Sequence, residues 1–210
     1  NVKVGMIMPF KCVEIKSYIN FLNINDGKNF CYGGNQEWFK DEINRKYGCA
    51  AVAAANLLAY KSINEGIKEL YQYEDFSKEN FLKYMNEVIK WTRPIEKIGI
   101  LKPRDFIKGL YNFGESKGIK LDFEVKYFNT SYYEFCSFIK KALSDNKPVA
   151  ILMLRNTALK EFDWHWMTIT KYFRAGNKIS INVSTWGEKR TLDLEKVYKH
   201  SSYGALVYLK

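Results

Sequence analysis

The chain of 210 residues is short of histidine, with two, of proline, with four, and of cysteine, with four. Cys12, Cys31, Cys49 and Cys136 show no CxxC spacing, so with two His they make no zinc set and are too sparse for a disulfide scaffold. No apolar run approaches the ~20 residues needed to cross a bilayer. Long charge blocks are missing too: the chain carries 33 basic and 23 acidic residues, net +10, yet no basic run is longer than a pair such as Lys140-Lys141. Lysines scattered in this way describe a solvated surface, not a nucleic-acid footprint. Repeats, low-complexity tracts and linkers are also lacking, which predicts one domain over 1–210. Together these absences predict no metal or organic cofactor, no nucleic-acid partner, no membrane partner and, from the cysteine usage, a reducing cytoplasmic setting. The sequence carries no signal for an oligomeric state.

What is present is core material, with 47% hydrophobic and 16% aromatic residues. Val4 to Phe10 reads as an N-terminal strand, too short for a signal peptide. Residues 47–60, Tyr-Gly-Cys-Ala-Ala-Val-Ala-Ala-Ala-Asn-Leu-Leu-Ala-Tyr, predict a buried helix with Cys49 in its first turn. Ser77 is placed to cap a helix reaching Trp91 before Pro94, and Pro103 to open another that Gly118 closes. From Leu121 the period changes to alternation. A capping-box pair, Ser131 and Glu134, opens a helix to about Asp145. Strands are expected at Val149–Leu154, Trp164–Phe173, Lys178–Trp186 and Ala205–Leu209, the second and third joined through Ala175-Gly176-Asn177. The fold class is therefore α+β, helical first and antiparallel-sheet second.

Chemistry concentrates on two of these elements. A helix N-terminus offers unpaired N–H groups and partial positive charge, which favour a thiolate at Cys49; on the helix alone, though, Cys49 reads first as one more small apolar residue filling the core. His165 begins a strand, with Met167 and Ile169 on its side and Thr168 and Thr170 on the other. An imidazole far from the thiol in sequence and near it in the fold is the usual base for such a nucleophile. On the following strand Ser180, Asn182 and Ser184 point one way and Ile179, Ile181 and Val183 the other. Asn182 or Ser184 is expected to orient His165, with Ser184 the stronger candidate. His200 falls in a polar, turn-like stretch.

The strand end Ser184-Thr185-Trp186-Gly187 resembles the Asn-Ser-Trp-Gly of the papain-like cysteine peptidases, with Ser184 where that family has its catalytic Asn. Lys147-Pro148-Val149 before a strand, followed by His165, is most similar to the branch of bacteriocin-leader-processing (double-glycine) peptidases. The likeness runs from about Gly34 to Gly187. It departs from the family around the nucleophile, where Tyr47-Gly48-Cys49-Ala50-Ala51 replaces Cys-Gly-Ser/Ala-Cys-Trp/Tyr. The resemblance implies a two-lobed fold: an N-terminal arm over 1–33, a helical lobe at about 34–118 carrying the nucleophile and a β-rich lobe at about 119–210 carrying the base. It also implies hydrolysis of a peptide or protein substrate through a Cys49 thioester, with His165 as general base and acid. An oxyanion-hole amide would come from Gln36 or Asn44, and Gln36 is favoured because the Gly33-Gly34 turn and Trp38 fix its loop. Acyl transfer or deamidation by the same pair, and a catalytically silent peptide-binding module, are the competing expectations.

Overall fold

The computed structural model describes residues 12–94, 98–175 and 177–210. The strand expected from Val4 to Phe10 lies outside the described residues, as does Gly176. Within them the protein is α+β, with a seven-stranded sheet whose ladders all run antiparallel. The arm contributes three two-residue strands, β1 (Val13–Glu14), β2 (Ile24–Asn25) and β3 (Phe30–Cys31), of which β2 and β3 pair with each other.

Helices follow. A short α1 (Glu42–Tyr47), capped by Asp41, runs into Gly48, and α2 (Cys49–Glu65) starts there. A Cβ on Gly48 would lie 2.3 Å from the Asn44 carbonyl oxygen, so only glycine permits this close succession of helices. Every residue from Cys49 to Tyr60 is buried. Alanine explains this, because its small side chain lets neighbouring elements close on all sides at no cost in helix propensity. Gly66 ends α2 in the left-handed conformation, φ 71°. Ser77 caps α3 (Lys78–Val88), which ends before the expected Trp91 and continues as turns. Pro103 opens α4 (Pro103–Ser116), with Phe106, Leu110 and Phe113 buried as their spacing predicts.

The C-terminal half is β4 (Phe123–Tyr127), α5 (Tyr132–Ser144), β5 (Val149–Asn156), β6 (His165–Ala175), β7 (Lys178–Thr185), β8 (Glu188–Asp193), α6 (Leu194–His200) and β9 (Ser201–Leu209). Both halves of the Ser131–Glu134 capping box are made. Strand order is β4-β9-β5-β6-β7-β8, and β1 pairs with β6. On one face of the sheet Phe106 of α4 stacks on Trp166, ring centroids 4.1 Å apart, and α2 reaches Thr168 through Asn56. On the other face α5 packs Phe138 against Tyr208. The sequence reading missed β8 and α6. Trp186 and Gly187, at φ 49° and 74°, form the two-residue turn between β7 and β8, the positive-φ geometry that suits a twisted hairpin. His200 thus closes a helix instead of lying in a polar turn, and its Nδ1 is 3.2 Å from Thr157 Oγ1.

Candidate active site

Cys49 is the first residue of α2, and Gly48 before it supplies no side-chain cap. His165 is the first residue of β6. Cys49, His165, Gln36, Ser184, Thr185 and Trp186 line one small pocket. Its free space is about 10 Å³, room for roughly one water. Both side chains are buried, Cys49 at 8% and His165 at 7% exposure.

Burial decides their protonation. It pushes the Cys49 thiol up, against the opposing effect of the backbone N–H groups of Trp166, Ala50 and Cys49 itself, and it pulls the His165 imidazole down to about 4. The thiolate expected from the helix terminus is corrected on this point. Desolvation outweighs the helix end in the closed pocket, and the resting pair is a neutral thiol with a neutral imidazole.

The third member also differs from expectation. His165 Nε2 lies 2.7 Å from Thr185 Oγ1. The Ser184 hydroxyl instead donates to the Tyr32 carbonyl at 2.5 Å, and Asn182 is committed to Tyr18 and Thr191, at 2.7 and 2.9 Å. The reason is a β-bulge. Next to the hairpin turn the pairing is Ala175↔Lys178 and Lys171↔Asn182, a register that would bring Ser184 to the face of His165. Between Ile169 and Lys171 the register slips by one, giving Thr168↔Ser184. A slip of one residue exchanges the faces. His165 therefore shares its face with Thr185, and Ser184 shares the other with Thr168.

Gln36 opens a single 3-10 turn, Gln36–Trp38, capped by Asn35. Its Nε2 donates to the Arg45 carbonyl at 2.8 Å, which uses one of the two N–H groups of that amide. Asn44, on α1, lines a different groove with Asp41, Asn86 and Lys90. Trp186 stacks on His165 with centroids 4.6 Å apart and on Phe162 at 5.6 Å. Arg190 lies over Phe162 and pairs with Glu161 at 2.5 Å. Trp164, the residue before His165, adopts φ 57° and is 47% exposed.

Cys12, Cys31, Cys49 and Cys136 are all free thiols. Among the described residues no cluster of His, Cys, Asp and Glu could hold a metal ion, and no helix is long and apolar enough to cross a membrane. Scanning family models and searching curated proteins found no match to the chain.

Proposed function

We propose that the protein is a cysteine peptidase of the papain-like, two-lobed kind, cleaving a peptide or protein substrate in a reducing, cytoplasmic setting without a cofactor. One observation carries the reading: the first residue of a buried helix, Cys49, and the first residue of a distant strand, His165, line the same pocket, with the imidazole held by Thr185. In the proposed reaction Nε2–H donates to Thr185 Oγ1, which leaves Nδ1 free to take the Cys49 proton as Sγ attacks the scissile carbonyl. The Cys49 N–H and the second N–H of Gln36 receive the oxyanion, where loss of one such donor costs about 2.7–4 kcal/mol. The imidazolium then protonates the leaving amine as the C–N bond breaks. Water, deprotonated by His165, opens the thioester; the proton returns to sulfur and the acid product leaves. Because the resting pair is neutral, charge separates only as the bond to carbon forms.

The test is mass-spectrometric readout of a peptide library incubated with the wild type and with Cys49→Ala. Cleavage by the wild type with a new carboxylate at each cut, and its disappearance in the variant, is the expected result. Cleavage that survives Cys49→Ala would remove Cys49 from the reaction. Incubation with an added amine separates hydrolysis from acyl transfer, since a transferase would deliver the acyl group to that amine.

A further inference from the structure

We infer that Asn56 is a positioning residue of this site, holding the segment Tyr32–Gln36, and with it the Gln36 amide, against the β6–β7 hairpin. Its catalytic consequence rests on the hydrolytic reading above; its structural half rests on geometry alone.

Asn56 is a carboxamide in the middle of α2, within its wholly buried stretch Cys49 to Tyr60, and is 1% exposed. A buried polar group persists only where its hydrogen bonds are made, and here they run to three separate segments. Oδ1 accepts the Gly34 N–H at 2.9 Å, while Nδ2 lies 3.3 Å from Ser184 Oγ on β7 and 3.4 Å from Thr168 Oγ1 on β6. Ser184, so engaged, donates its own hydroxyl hydrogen bond to the Tyr32 carbonyl at 2.5 Å. One amide thus ties α2 to both strands and, directly and through Ser184, to both ends of Tyr32-Gly33-Gly34.

The loop is shaped to come this close. Gly33 stands at φ 85°, and a Cβ there would lie 2.3 Å from Ser184 Oγ and 3.0 Å from Asn56 Nδ2. A Cβ on Gly34 would lie 2.8 Å from the Phe81 ring. Two successive glycines therefore let bare backbone reach the amide. The turn after β7 clamps the same segment from its other side, Tyr32 N–H donating to the Gly187 carbonyl at 2.6 Å and Gly187 N–H to the Gly34 carbonyl at 3.1 Å. Two residues beyond Gly34 comes Gln36, in the pocket. Cys49, Val52, Ala53 and Asn56 follow one another at i, i+3, i+4 and i+7 on α2, and all four line that pocket. The helix that presents the thiol therefore also fixes, about two turns below it, the loop that presents the amide.

A residue that merely stabilised the fold would loosen everything together; a positioning residue should separate two reactions of Cys49. Alkylation by iodoacetamide needs no oxyanion donor, whereas amide hydrolysis does. For Asn56→Ala the expected result is a Gly34 amide exchanging with solvent at least ~10-fold faster, with α2 and β6 protection unchanged. The Gln36 side-chain amide resonances should shift, and kcat should fall about 100-fold, the cost of a misplaced catalytic group. KM and the alkylation rate should stay within about twofold. Asn56→Asp, which keeps an acceptor for the Gly34 N–H, should restore the Gly34 protection, and Asn56→Ser, whose shorter side chain does not reach that N–H, is read in place of Asn56→Ala if the latter does not fold. Unchanged Gly34 protection and Gln36 resonances would overturn the inference, as would alkylation falling in step with kcat. If the wild type cleaves no peptide, the hydrolytic reading fails, and the Gly34 and Gln36 resonances alone decide the positioning claim.

Discussion

Thr185 and Ser184 are neighbours on one strand, both hydroxyl-bearing and both buried, at 3% and 2% exposure, and they serve opposite faces of the sheet. Thr185 meets a titratable ring, His165. Ser184 meets only an amide, Asn56, and a peptide carbonyl, that of Tyr32. The comparison teaches that chemistry is set by the face and not by the residue type. One face holds a group whose charge can change, and the other holds a neutral network that fixes backbone. The two faces should therefore fail in different ways when perturbed.

Acid gives the largest expected difference. Burial keeps His165 neutral, down to about 4 in the folded protein, while an unfolded histidine titrates near ~6.5. Between these values the unfolded chain binds a proton that the native chain refuses, so stability rises with pH across the window and is lost as pH falls from about 6.5 towards 4. The full shift corresponds to on the order of 3 kcal/mol. Urea unfolding at pH 7 and pH 4.5 should show this loss in the wild type and a much smaller one in His165→Gln. Equal losses in both would mean that the imidazole is not the group being charged. No titratable side chain takes part in the bonds among Asn56, Ser184, Thr168 and Gly34, so Ser184→Ala should retain the wild-type slope.

The next contrast sets activity against stability. Thr185→Ala removes the partner of His165 Nε2 and is expected to lower kcat by up to about 100-fold, with a stability loss of about 1–3 kcal/mol from the buried ring nitrogen left unpaired. Ser184→Ala leaves the Tyr32 carbonyl without its hydroxyl donor and deprives the Asn56 amide of one acceptor. It is expected to cost about 1–3 kcal/mol of stability, with a smaller effect on turnover. Denaturation and steady-state kinetics on the two variants decide the matter. A larger kinetic loss in Ser184→Ala would return the role of orienting residue to the position that the Asn-Ser-Trp-Gly likeness suggested.

That likeness shows where the sequence was legible and where it was not. Elements with local punctuation were readable: Ser77, Pro103 and the Ser131–Glu134 pair mark helix starts that the structure bears out. Cys49 at the head of α2 and His165 at the head of β6 were readable because helix and strand periods differ. The bulge between Ile169 and Lys171 was not, since nothing in Ile-Thr-Lys distinguishes a residue that leaves the ladder from one that stays in it. That single displacement moved the partner of His165 from Ser184 to Thr185. Trp186-Gly187 hid β8 because a tryptophan rarely occupies a positive-φ turn position; here it does so while stacked on His165. Asn56 was hidden inside an alanine helix, where its meaning depends on a glycine pair and a serine distant in sequence.

The smallest expected effect is also the sharpest test of what Thr185 contributes. A threonine carries two groups at Cβ, and either could steady an imidazole: Oγ1 by the 2.7 Å contact with Nε2, or the methyl by filling space beside it. Thr185→Ser keeps the first and deletes the second. Losing one buried methyl group should cost no more than about 1 kcal/mol of stability. If the hydrogen bond does the orienting, kcat should stay within about threefold of the wild type, because a shift of less than 1 kcal/mol in the barrier is less than a tenfold change. The pH dependence of kcat should keep the wild-type shape, since the same oxygen still faces Nε2. A Thr185→Ser variant as slow as Thr185→Ala would assign the role to the methyl group. The two faces of the hairpin would then differ in packing, not in the chemistry of their hydroxyls.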